Sequence, residues 1–194
     1  MSVSTPPVRI GIIGAPDTLK EPLARTMLGS LRLRGISARQ PRPTLPQVPL
    51  GPGQTEPDTR ALICRALAAE AVAESGTTKF GPVRAVLTRS VTWTVIAHYL
   101  VAHQTRTGTV PRRRDFERLV RLALAPEPYD YLLLTPCGGS DRTEGEGTYG
   151  LRVHRRLVAL LEQENVPHSV LPPGDDMFLS AIQQVPGLPN APVL

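Results

Sequence analysis

The chain is poor in several things a reader would use to place it. Two cysteines, Cys64 in a helical pattern and Cys137 in a Gly-rich turn, make neither a disulfide framework nor a zinc motif and read as two reduced thiols. Aromatic residues make up 4% of the chain, and the dense basic run 111–115 is not interleaved with them, which argues against a nucleic-acid surface. That run reads instead as the solvated start of a helix. No apolar stretch approaches the roughly 20 residues needed to span a bilayer. The first ten residues have neither a basic start nor an apolar core, so a cytoplasmic protein without membrane contact is expected. Lysine is nearly missing: of 22 basic residues only Lys20 and Lys79 are lysines, and the rest are arginines. The net charge of +5 and the many guanidinium forks point to anionic ligands.

What is present is an alternation of apolar runs and amphipathic segments in 194 residues with 41% hydrophobic content, enough for one core. Val8 to Ile13 reads as a buried strand. Lys20 to Arg34 follows as a helix with Leu23, Met27, Leu28 and Leu31 on one face, Pro22 in its first turn and Gly35 as its stop. Residues 41–57 are too proline-rich for a helix or inner strand and form a surface excursion. Asp58 is placed as the cap of a helix to about Ser75, with Ala61, Leu62, Cys64, Leu67, Ala68 and Ala71 as its stripe. A strand at 83–88, helices at 93–104 and 114–125, and a strand at 129–136 come next. A Gly-rich loop at 137–150, a basic helix at 151–164 and a short strand near 168–172 complete the pattern. Residues 1–7 and 173–194 read as tails, with 8–172 as the folded domain. Strands joined through helices predict a three-layer α/β/α domain on a mainly parallel sheet of about five strands, with ligands beyond the strands' carboxyl ends.

The first of those ends carries the strongest signal. Gly14 closes the strand and Lys20 follows at the spacing of a phosphate-binding loop, but Leu19 stands where a second glycine belongs and Glu21 where a hydroxyl metal ligand belongs. By the residues alone, the stretch is also a strand-to-helix turn in which Asp17 or Thr18 caps the helix. Asp17 and Glu21 could pair with Lys20 and fill the cradle in place of a phosphate.

Four stretches together resemble the P-loop kinase-like families that include nicotinamide riboside kinases and small AAA-type ATPase-like domains. They are IGIIGAPDTLKEPLA, AVLTRSVTWTVIAHYL, YDYLLLTP, and DRTEGEGTYG with the helix and strand after it. The likeness lies in order and spacing over residues 8–172. In the second stretch Arg89 and Ser90 match, whereas Thr88 and Trp93 occupy the places of two acids, the first of which would hold Mg²⁺ through water. The resemblance implies a P-loop NTPase-like fold with a degenerate Walker A loop and ATP or GTP with Mg²⁺ as the cofactor. A protein that holds no cofactor is the equal alternative.

The leading reading is a pseudoenzyme, retaining weak nucleotide or phosphate binding at Gly14, Asp17, Thr18, Lys20 and Glu21 and acting through binding or assembly. A protein partner or a second copy would dock on the proline-rich segments. A second class stays open: an ATP-dependent nucleoside or nucleotide kinase with altered metal ligation. There Glu21 replaces the hydroxyl, Asp141 or Glu144 supplies the missing acid, Lys20 neutralises the β- and γ-phosphates, and Arg89 and Arg142 stabilise the transferred group. A third is a purely structural component of a larger assembly. His98 and Tyr99 read as packing residues, His154 as exposed, and Trp93 as the plug of a disused pocket.

Overall fold

The computed structural model describes the chain apart from residues 1–5, 16–17, 42–52, 79–80, 90–91, 127, 138–143 and 186–194. A central sheet carries the fold. Its strands are β1 (Val8–Ile13), β2 (Ala38–Arg39), β5 (Ala85–Thr88), β6 (Tyr131–Leu134) and β7 (Ser169–Val170), in the order β2-β5-β1-β6-β7. Every pairing in it is parallel. Between them in sequence, β3 (Thr77–Thr78) and β4 (Gly81–Pro82) form a small antiparallel hairpin.

The inner strands are apolar on both faces because helices cover both. Ile10 and Ile12 of β1 and Leu133 of β6 point to one side. There they meet Leu23, Met27 and Leu31 of α1 (Lys20–Leu33) and Met177 and Ala181 of α6 (Asp176–Gln184). Ile13, Leu132 and Leu134 point to the other, against α2 (Glu56–Glu74), α3 (Thr92–Thr107), α4 (Arg113–Leu124) and α5 (Glu144–Gln163). This is the expected parallel α/β architecture. No helix among the described residues is long and apolar enough to cross a membrane.

Local chemistry accounts for the helix ends. Gly35 has φ of 74°, and the Ile36 amide reaches back to the Leu31 carbonyl, so the glycine stops α1 as expected. At α2 the expectation needs correction. Thr55 is the N-cap and Asp58 lies three residues inside, the two forming a reciprocal capping box. The stripe of α2 is also rotated from the one expected. Thr59, Leu62, Ile63, Ala66, Glu70 and Ala73 are buried, while Ala61, Cys64, Ala68 and Ala71 are exposed. Alanines scattered all round a helix leave its periodicity ambiguous, and a tertiary ion pair settles which side turns in.

Two further segments depart from expectation. Helix α5 begins at Glu144, inside the stretch read as a Gly-rich loop. Helix α6 forms within the stretch read as a tail, and the core continues through it to Val185. Prolines punctuate that stretch on either side of a short run, and the run itself has apolar residues spaced to meet α1. The proline-rich segment is described only at its two ends, and the tail only as far as Val185.

The ion pair that orients α2 lies under the sheet. The Arg9 guanidinium of β1 donates to Glu70 at 2.8 Å, its Nε pairs with Glu74 at 2.8 Å, and the Tyr129 hydroxyl donates to Glu70 at 2.8 Å. The Arg9 guanidinium also lies 5.0 Å from the centroid of the Tyr129 ring. The Arg9 amide meets the Asp130 carboxylate at 2.7 Å, which fixes where β6 enters beside β1. Burial, opposed by Tyr129 and Arg9, pushes the Glu70 carboxyl above its usual range. Removing Glu70 takes one carboxylate from the buried Arg9 guanidinium and leaves it Glu74. Glu70→Ala is therefore expected to lower unfolding free energy by about 1.5–3 kcal/mol in a denaturant titration, the cost of a lost charged hydrogen bond. Arg9→Leu combined with Glu70→Leu should cost clearly less than the sum of the single changes.

Candidate functional site

Strand β1 is paired on both edges, with β5 at Gly11↔Thr88 and β6 at Ile13↔Leu134, so three loops leave the sheet side by side at its carboxyl end. The loop after β1 is drawn tight. The Thr135 amide and hydroxyl, just past β6, both donate to the Ile13 carbonyl, at 2.8 Å and 3.0 Å. The same hydroxyl lies 3.0 Å from the Thr18 hydroxyl, which itself donates to the Ala15 carbonyl at 3.0 Å. Gly14 is required by this closeness, since a Cβ there would sit 2.0 Å from the Thr135 hydroxyl oxygen. The Lys20 ammonium folds back to donate to the Gly14 carbonyl at 2.9 Å.

Leu19, which the resemblance sets in the place of a loop glycine, points outward and is 49% exposed. It stands at the N-cap position of α1 and has no acceptor to offer. Thr18, one of the two caps expected, spends its hydroxyl inside the loop instead. Asp17, the other, lies outside the described residues.

Glu21 turns toward arginines. One oxygen pairs with Arg89, just beyond β5, and the other lies 3.5 Å from Arg25 one turn along α1. The expected pairing of Glu21 with Lys20 is therefore replaced by these two. Arg89 is held a second time by Gln40, whose side-chain carbonyl, with the amide oriented to satisfy its neighbours, accepts from Nε and Nη2. Burial lowers the Arg89 pKa without discharging it. Thr88, in the place of the metal-holding acid, is buried and neutral at the end of β5.

Among the described residues, the one carboxylate beside the loop is not open to Mg²⁺. Both Glu21 oxygens face cations, and among the described residues no group of three His, Cys, Asp or Glu side chains could enclose a metal. Asp141, Arg142 and the side chain of Glu144 lie outside the described residues.

His98 of α3 is buried near this end of the sheet, with its Nδ1 3.5 Å from the Tyr149 hydroxyl. Burial, reinforced by the Lys20 charge, pulls its pKa down to about 4. Trp93 turns elsewhere. It lines a cavity of about 260 Å³ with Leu67, Ala123, Pro128, Tyr129 and Leu132, a set that reaches the end of β6 opposite Thr135.

Thr135, Gln40 and Tyr149 are the residues that sequence reasoning missed. Thr135 had a local signal, a hydroxyl at the end of an apolar strand. Gln40 had none, because its role depends on β2 lying beside β5.

By sequence the chain matches no protein-family model and no curated protein. Its fold is shared with solved structures. A NadR protein in complex with NAD and AMP-PNP superposes with a TM-score of 0.62 at 15% identity over 87% of this chain. A NadR protein in complex with NR does so with a TM-score of 0.59 at 17% identity over 88%. The chain spans 45% of the length of each. The fold is therefore P-loop NTPase-like, as the resemblance carried by the four stretches implied.

Two measurements probe this geometry. Gly14→Ala should destabilise the protein by about 1–3 kcal/mol through overpacking, and adding Thr135→Ala, which removes the clashing oxygen, should recover part of that loss. His98 is neutral when folded and takes up a proton when unfolded. Its contribution is thus present above pH 6.5 and is lost as pH falls toward about 4. Unfolding free energy should drop over that range by up to about 3 kcal/mol, a loss that His98→Asn removes.

Proposed function

We propose that this protein binds the phosphates of a nucleotide, or a simple phosphate anion, at the Gly14–Lys20 loop. It acts through that binding or through assembly, without transferring a phosphoryl group. The observation that carries the reading is the opposite orientation of two neighbours: Leu19 faces solvent, while Lys20 reaches back over the loop to Gly14. The residue that would have crowded a phosphate is out of the cradle, and the cation that would meet one is in it. The bound AMP-PNP of a NadR protein with the same fold agrees with this use of the scaffold.

Transfer makes further demands. It relies on positioning and on charge stabilisation, to which bound metal ions contribute heavily. Here Glu21 is engaged by Arg89 and Arg25, and Thr88 has no charge to offer. Mg²⁺, where it binds in such loops, neutralises the charge developing on the phosphates. In this chain Lys20 and Arg89 are the cations that would face a bound phosphate.

Isothermal titration with ATP and with GTP tests the reading. Binding is expected for the wild type, weakened at least about tenfold in Lys20→Ala through loss of a charged hydrogen-bond donor. No ADP should accumulate with Mg²⁺ present. Turnover with Mg²⁺ that disappears in Lys20→Ala would make the protein a kinase or ATPase. Absence of heat in every condition would leave the loop a structural turn.

A further inference from the structure

The Glu21–Arg89 contact sits where a phosphate site would need a cation. Arg89 leaves β5, the neighbour of β1, and Glu21 follows Lys20 directly, so the ion pair borders the loop. Three features make it exchangeable. Glu21 and Arg89 are 48% and 30% exposed, and a pair so open to water is only weakly held. Gln40 holds the Arg89 guanidinium from another side, so the fork keeps its position when Glu21 swings away. Arg25, 79% exposed and one turn along α1, offers the departing carboxylate a second partner on its own helix.

The charges agree with such an exchange. Arg25 and Arg89 both meet Glu21, and Lys20 lies next to it in sequence. An incoming polyphosphate would replace one negative charge with several and would meet Arg89 in the bidentate geometry that guanidinium groups favour. A divalent cation in the same place would face Arg89 and Arg25.

We infer that Glu21 is a built-in competitor for the polyphosphate, occupying Arg89 until a phosphate oxygen takes its place, and that this site takes its polyphosphate without a divalent metal. The inference rests on the phosphate-binding reading above. It adds to that reading the residue that sets affinity and the metal independence of binding.

The test is isothermal titration with ATP in EDTA and in Mg²⁺, using wild type, Glu21→Gln, Glu21→Gln with Arg89→Ala, and Lys20→Ala. Glu21→Gln should bind ATP about five- to tenfold tighter in EDTA, since it frees Arg89 and removes a like charge from beside the phosphates. The double variant should lose that gain, and Mg²⁺ should not tighten binding to the wild type. Arg89→Gln replaces Arg89→Ala if a melting curve shows the alanine variant to be unfolded. Equal or weaker binding by Glu21→Gln overturns the inference. So does a Mg²⁺-dependent tightening of the wild type that Glu21→Gln loses, which would make Glu21 a metal ligand. Binding that depends on Lys20 but ignores Glu21 overturns this inference alone, whereas absence of binding in all four proteins overturns the phosphate-binding reading with it.

Discussion

Double-sided pairing of β1 is the constraint on which the rest of the molecule depends. A strand hydrogen-bonded to β5 on one edge and β6 on the other leaves no freedom in register, and its side chains must satisfy a helix layer on each face. Ile10, Ile12 and Ile13 do this with apolar surface. Arg9 does it with charge, through Glu70 and Glu74 on α2. Once β1 is fixed, the loops after β1, β5 and β6 must emerge together, and every residue of the candidate site lies on or beside them.

That convergence explains how the altered loop keeps its shape. A phosphate-binding turn usually depends on glycines for its curl. Here the loop retains only Gly14 at the point of closest approach, and Thr135 of the neighbouring strand end supplies the remaining restraint through hydroxyl contacts. The leucine at position 19 is tolerated because it projects into solvent. Side chains supply the ion pairing beside the loop. The position next to Lys20 bears a carboxylate, and that carboxylate has found arginines from two elements.

Much of the fold was legible in the chain. The strand at Val8 to Ile13, the stop at Gly35 and the alternation of strands with helices follow from short-range chemistry: apolar runs, helical periodicity and the backbone freedom of glycine. Errors fell where local signals were weak or were overruled. Helix α2 is rich in alanine, so its inward face was set by Glu70 meeting Arg9 rather than by its own pattern. Helix α5 starts among glycines that disfavour helix, and it is anchored by Val153, Leu157, Leu160 and Leu161 packing farther along. Helix α6 has few residues and was hidden among prolines, yet Met177 and Ala181 bury against α1.

The sequence by itself determined the alternation of the long inner strands with helices, the parallel α/β class and the spacing of Gly14 and Lys20, since each is written in residues close together along the chain. Only the tertiary structure decided which way Leu19 points, that Glu21 answers Arg89 rather than Lys20, that Thr135 closes the loop and that Glu70 is buried. Those contacts join residues distant in sequence, and what brings them together is the strand order of the sheet and the desolvation that follows when helices close over it.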